Sequence, residues 1–184
     1  MRLRLRLLAA AALVAVLAPA ARPATPAITP APAARFVART ITGERFDLAA
    51  ALAKGPVLID FWATWCHPCL ESLPALEKLR AAQAAHGLTV VAISIDGPRN
   101  FARVRPFAQR LGLHMPIVID EDGSLAQKYQ VSSVPTTVLI APDGRIVRIQ
   151  TGYLPGEDAT LAGAVQALLA PAAPAAPAAA DSAK

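Results

Sequence analysis

The feature that most constrains the fold is the run VLIDFW, residues 57–62, in which Asp60 is the only polar residue. A strand with one solvent-exposed face alternates apolar and polar residues, whereas a run that is apolar throughout is typical of a strand that is buried on both faces. A second run of this kind, VVAISI, occupies residues 90–95. Together with the helical patterns that follow each run, this predicts an α/β fold with one central sheet and helices on both of its faces.

The remaining elements are predicted from turn residues and periodicity over residues 35–169, the expected extent of the folded domain. We expect, in chain order, a hairpin over 36–46, a helix over 48–53, the strand 57–62, a helix from Cys66 to Ala85 kinked at Pro74, the strand 90–95, a helix capped by Asn100 and ending near 111, a strand over 116–119, a turn and short helix over 120–131, a hairpin over 136–150, and a helix over 156–169.

The two ends of the chain have a different composition from the centre. Residues 1–20 combine a basic start, an apolar run over 7–18 and a small–x–small site, which predicts a signal peptide and export to the periplasm. The apolar run is shorter than the ~20 residues that span a bilayer. If it is not cleaved, residues 7–18 would anchor the protein to the membrane. The Pro/Ala-rich stretches 21–34 and 170–184 are interpreted as a linker and a disordered tail.

The charge of the chain gives no support for nucleic-acid binding. The formal net charge is +5, but three of the cations, Arg2, Arg4 and Arg6, belong to the expected signal peptide, and the charge without them is +2. No basic segment with interleaved aromatic residues occurs, so we expect no nucleic-acid partner.

The only two cysteines, Cys66 and Cys69, are three residues apart, and three interpretations compete. A structural cross-link is a poor explanation, because so small a loop removes little entropy from the unfolded chain. Zinc needs two further ligands, and His67, His86 and His114 lack the close spacing of zinc sites. We therefore predict no metal, although a Cu(I) site made of both thiolates and a histidine stays open. The third interpretation is a redox-active pair.

The expected helix start favours the redox interpretation. At the N-terminus of a helix, unpaired N–H groups and the helix dipole stabilise a Cys66 thiolate, which is the nucleophile of disulfide exchange. Cys69, one turn deeper, suits the resolution of a mixed disulfide and would close a Cys66–Cys69 disulfide. Pro68 stiffens the turn at a position where an N–H would have no partner.

Asp60 is the candidate proton acceptor for Cys69. A carboxyl in a strand that is apolar on both faces has its pKa raised by desolvation, and it lies on the strand that leads to the cysteines. The alternative is an ordinary acid at a solvated strand edge.

The segment VLIDFWATWCHPC resembles the active-site strand and turn of thioredoxins. With VVAISID, VSSVPTTVLIAPDGRIV and TGY, the chain is similar over residues 36–169 to the exported TlpA/ResA-like branch of that superfamily. The resemblance implies a thioredoxin fold with an added N-terminal β-hairpin and a β/α insertion. It also implies a cis Val134–Pro135 bond, with the backbone of Val134 pairing with an extended substrate. Trp65, His67 and Pro68 would complete the substrate surface, and His67 would stabilise the Cys66 thiolate.

Two departures from the family pattern concern the acid. The glutamate that relatives often carry three residues after the second cysteine is here Ser72, and the adjacent Glu71 is expected to face solvent. Asp60 is therefore predicted to be the only buried acid. The lysine that many thioredoxins place near the aspartate is here Ala92, which should raise the pKa of Asp60 further.

The sequence thus predicts a periplasmic thiol–disulfide oxidoreductase of the protein-disulfide reductase type. Its expected partners are proteins with cysteines, in cytochrome c maturation or respiratory oxidase assembly, and an external membrane or periplasmic reductant. No cofactor other than the Cys66–Cys69 disulfide is expected. The alternative function is Cu(I) delivery by the same two thiolates.

Overall fold

A computed structural model describes residues 32–154 and 156–170 of the chain. The signal peptide predicted over residues 1–20, the linker up to residue 31 and the tail from residue 171 lie outside the described residues. None of the helices in the described part combines the length and the apolar character that crossing a bilayer requires.

The described residues form seven strands and five helices in mixed order. The strands are β1 (Val37–Arg39), β2 (Arg45–Asp47), β3 (Val57–Trp62), β4 (Thr89–Ser94), β5 (Ile117–Ile119), β6 (Thr136–Ile140) and β7 (Ile146–Thr151). The helices are α1 (Leu48–Leu52), α2 (Cys69–Gln83), α3 (Phe101–Arg110), α4 (Ser124–Lys128) and α5 (Glu157–Leu169), and a 3-10 turn, Ala84–His86, follows α2.

Five of the strands form one mixed sheet in the order β5-β4-β3-β6-β7. β3 pairs parallel with β4 and antiparallel with β6, and β5 and β7 form the two edges. The predicted β/α insertion corresponds to β5 and α4, which stand between α3 and β6 along the chain. The predicted α/β architecture with helices on both faces is confirmed.

β3 lies at the centre of the sheet, and all six of its residues are buried. Because side chains alternate along a strand, Leu58 and Trp62 enter one core while Ile59 and Phe61 enter the other. The first core is covered by α2, α3 and α5, and the second by α1, α4 and the hairpin. Asp60 falls on the side of Leu58 and Trp62, which is also the side of both cysteines.

The N-terminal hairpin β1–β2 is attached to the sheet at its β5 edge. The N–H of Ile41 donates to the carbonyl of Ile117 at 2.8 Å, beside a bridge between Thr40 and Val118. The preceding residues also contact the domain: the N–H of Ala33 donates to a carbonyl in the β6–β7 turn at 2.8 Å. Ala33 lies within the stretch 21–34 that was predicted as linker, so contacts with the domain begin before residue 35, where the domain was expected to start.

The start of α2 and the capping of α3 differ from the prediction. α2 begins at Cys69 rather than at Cys66, because residues 63–68 form turns and Pro68 is the N-cap. α3 begins after Asn100 as predicted, but the side chain of Asn100 makes no capping hydrogen bond. Pro74 lies inside α2, on which Leu73 and Leu76 are buried against the first core.

Candidate active site

Cys66, in the loop that follows β3, forms a disulfide bond with Cys69, the first residue of α2. Cys66 keeps 5% of its surface exposed and Cys69 keeps none, so the order of exposure agrees with the predicted roles. Cys66 is nonetheless less exposed than we expected for an attacking thiol. Both sulfurs belong to the core that α2, α3 and α5 cover.

The loop places Cys66 just ahead of α2, which corrects the expected position at the first residue of the helix. Its N–H donates to the carbonyl of Ala63 at 3.1 Å, which closes a turn before the cysteine. The first helical hydrogen bonds run from Leu70 to His67 and from Ser72 to Pro68. Cys66 thus lies one turn before the N-terminus of α2, and Cys69 is the residue at the helix start.

The Val134–Pro135 peptide bond is cis, as the resemblance implied. Pro135 is buried, and its carbonyl accepts a hydrogen bond from the N–H of Gly152 at 2.8 Å. The next residue, Thr136, opens β6 opposite Phe61 near the end of β3. Because β3 and β6 are antiparallel, the start of β6 lies at the end of β3 from which the cysteine loop leaves. The two loops are therefore at the same edge of the sheet.

Three of the residues predicted to bind substrate flank Cys66 along the chain and are exposed. The side chain of Trp65 is 62% exposed, and His67 and Pro68 are also exposed. Val134 is half-buried.

Asp60 is fully buried, and its carboxyl makes one hydrogen bond within the described part of the chain. The hydroxyl of Thr137, its partner residue on β6, donates to Asp60 Oδ1 at 3.0 Å. Asp60 Oδ2 is buried and has no hydrogen-bond partner among the described residues. On the other side Asp60 pairs with Ala92 of β4, where no cation is available. Desolvation by burial raises the pKa of Asp60 to about 7, and the hydrogen bond from the Thr137 hydroxyl opposes this rise without cancelling it.

Asp60 is not the only buried acid, which corrects the sequence-based expectation. Asp96 and Asp120 are 0% and 4% exposed. Both carboxylates accept several hydrogen bonds. That of Asp120 accepts from the N–H groups of Leu125 and Ala126 at the start of α4, and that of Asp96 is described below. Asp60 differs from them because one of its oxygens lacks a partner.

Asp96 contacts the cysteine loop, a role that sequence reasoning missed. Its carboxylate accepts the N–H of Thr64 at 2.8 Å and the Thr64 hydroxyl at 2.7 Å, and a third hydrogen bond comes from Ser94 at 2.8 Å. Thr64 lies two residues before Cys66, so Asp96 fixes the first half of the loop to the end of β4. The sequence signal that could have indicated this role is the position of Asp96 directly after the predicted buried strand 90–95.

No group of three or more His, Cys, Asp or Glu side chains is placed to hold a metal ion within residues 32–154 and 156–170.

Comparison with known proteins identifies the family. The family model described as Redoxin matches residues 26–168. The thiol-disulfide oxidoreductase ResA of Geobacillus thermodenitrificans is 35% identical over 123 residues, which cover 67% of this chain and 69% of that protein.

Solved structures of related proteins have the same fold. A structure from Chlorobium tepidum, described as the thiol:disulfide interchange protein DsbE, superimposes with a TM-score of 0.70 at 27% identity, covering 76% of this chain and 96% of that one. A secreted disulfide oxidoreductase of Mycobacterium tuberculosis, described as homologous to DsbE, gives a TM-score of 0.61 at 27% identity, covering 72% and 96% of the two chains.

The predicted thioredoxin fold and TlpA/ResA-like resemblance are thereby confirmed. With its Cys66–Cys69 disulfide and the cis-proline loop at the same edge of the sheet, the chain belongs to the redoxin family, as a thiol–disulfide oxidoreductase of the ResA/DsbE type.

Proposed function

We propose that the chain is exported to the periplasm and acts there as a protein-disulfide reductase. Cys66 is the attacking thiol, Cys69 the resolving thiol and Asp60 the proton acceptor. The observation that carries the proposal is the graded burial of the disulfide, with Cys66 at the surface edge and Cys69 enclosed.

The reaction starts from the dithiol. The Cys66 thiolate attacks one sulfur of a substrate disulfide, forming a mixed disulfide while the other substrate sulfur leaves as a thiolate. Cys69 loses its proton and attacks Cys66 Sγ, which releases the second substrate thiolate and closes the Cys66–Cys69 bond. Two electrons pass from the dithiol to the substrate. A membrane or periplasmic reductant then restores the dithiol.

Asp60 is suited to take the proton of Cys69. It shares with Cys69 the side of the sheet covered by α2, and burial raises its pKa to about 7. A base with a pKa near the working pH is half deprotonated and transfers protons in both directions.

The substrate is a protein segment in extended conformation. The exposed ring of Trp65 and the exposed His67 and Pro68 provide contact area beside Cys66. The backbone of Val134, directly before the cis-proline, pairs with the segment as an added strand. His67, next to Cys66, favours its thiolate by charge when protonated.

The cysteines of apocytochrome c, or those of copper-site assembly proteins of respiratory oxidases, are the substrates that we infer. Support comes from the resemblance to TlpA/ResA-like proteins and from the basic and apolar start of the chain. The related M. tuberculosis protein is described as secreted. Mass spectrometry of the mature protein from the periplasm tests export and cleavage together.

The central experiment traps the mixed disulfide. A Cys69→Ser variant is mixed with a peptide that carries an oxidised C-x-x-C-H haem-attachment motif. We expect a stable adduct on Cys66, and none with the matched Cys66→Ser variant. If Cys69→Ser forms no adduct while Cys66 still reacts with iodoacetamide, the proposal is wrong. Stoichiometric, tight Cu(I) binding by a reduced protein that does not exchange disulfides would favour the delivery alternative.

A further inference from the structure

Asp60 has no exposed surface, so any proton that it accepts needs a route to solvent. On its side of the sheet, a narrow cleft opens between α2, the β6–β7 pair and the start of α5. Its polar lining consists of Ser72, Thr137, Gln150, Gly152, Tyr153 and Asp158. The volume of the cleft, about 10 Å³ for water-sized spheres, is the space of one water molecule.

Two side chains identify a water site in this cleft. Ser72 is 4% exposed, and its hydroxyl oxygen has no hydrogen-bond partner among the described residues. Thr137 lines the same cleft while its hydroxyl donates to Asp60 Oδ1 at 3.0 Å. A hydroxyl has one proton and two lone pairs, so Thr137 can contact Asp60 and a water molecule at once. Buried polar groups without protein partners are commonly satisfied by such waters.

We propose that a water molecule held by Ser72 and Thr137 in this cleft carries the proton of Asp60 to solvent, without passing the disulfide. The inference rests on the proposed role of Asp60 as the proton acceptor for Cys69. It assigns Thr137 as the relay and Ser72 as a positioning residue for the water.

The relay conserves atoms and charge. After Asp60 has taken the proton of Cys69, a half-turn of the carboxyl about Cβ–Cγ brings the new O–H toward Thr137. The Thr137 hydroxyl rotates about Cβ–Oγ1 so that its own proton points to the water and a lone pair faces Asp60. The Asp60 O–H bond then breaks as its proton passes to Thr137 Oγ1, and the proton that Thr137 held passes to the water. The water releases one proton at the mouth of the cleft. Thr137 ends with the atoms with which it began, and no electron moves.

Among the described side chains, few titratable groups lie around this route. Cys69 shares the side of Asp60, and Tyr153 and Asp158 stand at the cleft, where the Tyr153 hydroxyl donates to Asp158 Oδ2 at 3.0 Å. The strand neighbours of Asp60, which are Ala92 and Thr137, carry no charge. Asp60 therefore exchanges its proton with water rather than with a buried base.

The test follows the resolution step in the full-length reduced protein. Oxidised glutathione is added, and the decay of the Cys66–glutathione mixed disulfide is followed by acid quench and mass spectrometry. Ser72→Val fills the cleft without removing the Thr137–Asp60 hydrogen bond. At pH 6, where most Asp60 carboxyls must lose a proton before they can act, we expect resolution to slow by about tenfold. At pH 9 the rate should equal that of the wild type.

Matched variants distinguish a failure of the proposed proton route through the cleft from a failure of Asp60 as the proton acceptor. Thr137→Val should slow resolution at pH 6, and Thr89→Val, the same change at the far end of β4, should not. If Ser72→Val reduces folding, Ser72→Ala replaces it and should give a smaller slowing in the same direction. A wild-type rate for Ser72→Val at pH 6 overturns the route, as does equal slowing at both pH values. If Asp60→Ala itself resolves at the wild-type rate, the proposed acceptor role fails instead.

Discussion

Replacing Asp60 by asparagine should make the protein more stable at neutral and alkaline pH, and the stability of the variant relative to the wild type should increase between about pH 4 and 7. A carboxyl whose pKa is raised from 3.8 in the unfolded chain to about 7 in the folded one binds protons more tightly when folded. Between these values the folded state holds more protons than the unfolded state. The stability of the wild type relative to Asp60→Asn therefore falls as the pH rises from about 4 to 7, and the difference is constant above that.

The size of the effect follows from the two pKa values. Each unit corresponds to about 1.4 kcal/mol, so the full difference is on the order of 4 kcal/mol. The asparagine amide keeps an oxygen for the Thr137 hydroxyl, and we expect its NH₂ group to stay unpaired at the position of Asp60 Oδ2, which has no partner among the described residues. That unpaired donor costs about 1–3 kcal/mol at every pH. This constant cost shifts the plot of the stability difference against pH by the same amount at every pH and leaves its slope unchanged.

The assay is guanidinium unfolding of the oxidised proteins at intervals between pH 4 and 9. Keeping the disulfide closed prevents the cysteines from titrating, and the other carboxyls cancel in the difference between the two proteins. We expect the free energy of unfolding of Asp60→Asn minus that of the wild type to rise by about 4 kcal/mol and then to level off above pH 7. A difference that stays within about 1 kcal/mol across this range would refute the raised pKa and, with it, the reasoning about Asp60.

Asp96→Asn is the matched control, because it makes the same change at another fully buried aspartate. The Asp96 carboxylate accepts three hydrogen bonds from Thr64 and Ser94, and an amide group offers only one accepting oxygen. This variant should be less stable than the wild type at neutral pH.

Three further predictions concern the core and the cysteine loop. Leu73→Ala, at a fully buried position of α2, should lower the free energy of unfolding in urea by about 2–5 kcal/mol; a loss below 1 kcal/mol would mean that α2 does not pack on the sheet as described. Trp65→Ala should reduce the second-order rate constant with a protein disulfide several-fold while leaving the rate with dithiothreitol unchanged, because the ring is 62% exposed and supports only the larger substrate. Thr64→Val removes one of the hydrogen bonds to Asp96 and should change the rate at which iodoacetamide alkylates Cys66 in the reduced protein, whereas Thr64→Ser should restore it.

The strands could be predicted more accurately than the start of α2. VLIDFW gives β3 its observed bounds, because only a central strand buries both faces. At the cysteines, an apolar helical pattern follows the strand almost at once, and nothing in it distinguishes a helix that begins at Cys66 from one that begins at Cys69. The turns over residues 63–68, one of which is closed by the Cys66 N–H donating to the carbonyl of Ala63, decide the outcome.

The parts of the site that the sequence did not reveal depend on long-range contacts. Thr64 and Asp96 are 32 residues apart, and Asp60 and Thr137 are 77 residues apart. Neither pairing has a local pattern, since each follows from which strands become neighbours in the sheet. Asp60 was found from sequence because a charge in an apolar run is itself unusual, whereas Ser72 and Thr137 are common residues in ordinary positions.

Both sulfurs belong to the hydrophobic core beneath α2, α3 and α5, which links electron transfer to protein folding through a thermodynamic cycle. Folding stabilises the disulfide form of Cys66 and Cys69 relative to the dithiol form by a certain free energy. The same free energy shifts the equilibrium for reducing the disulfide in the folded protein, compared with the unfolded chain. About 1.4 kcal/mol on one side of the cycle corresponds to about 30 mV on the other. A core substitution that adds or removes a methyl group can therefore change the reduction potential of the cysteine pair, even far from any substrate. It does so whenever the oxidised and reduced forms of the core accommodate the methyl group differently.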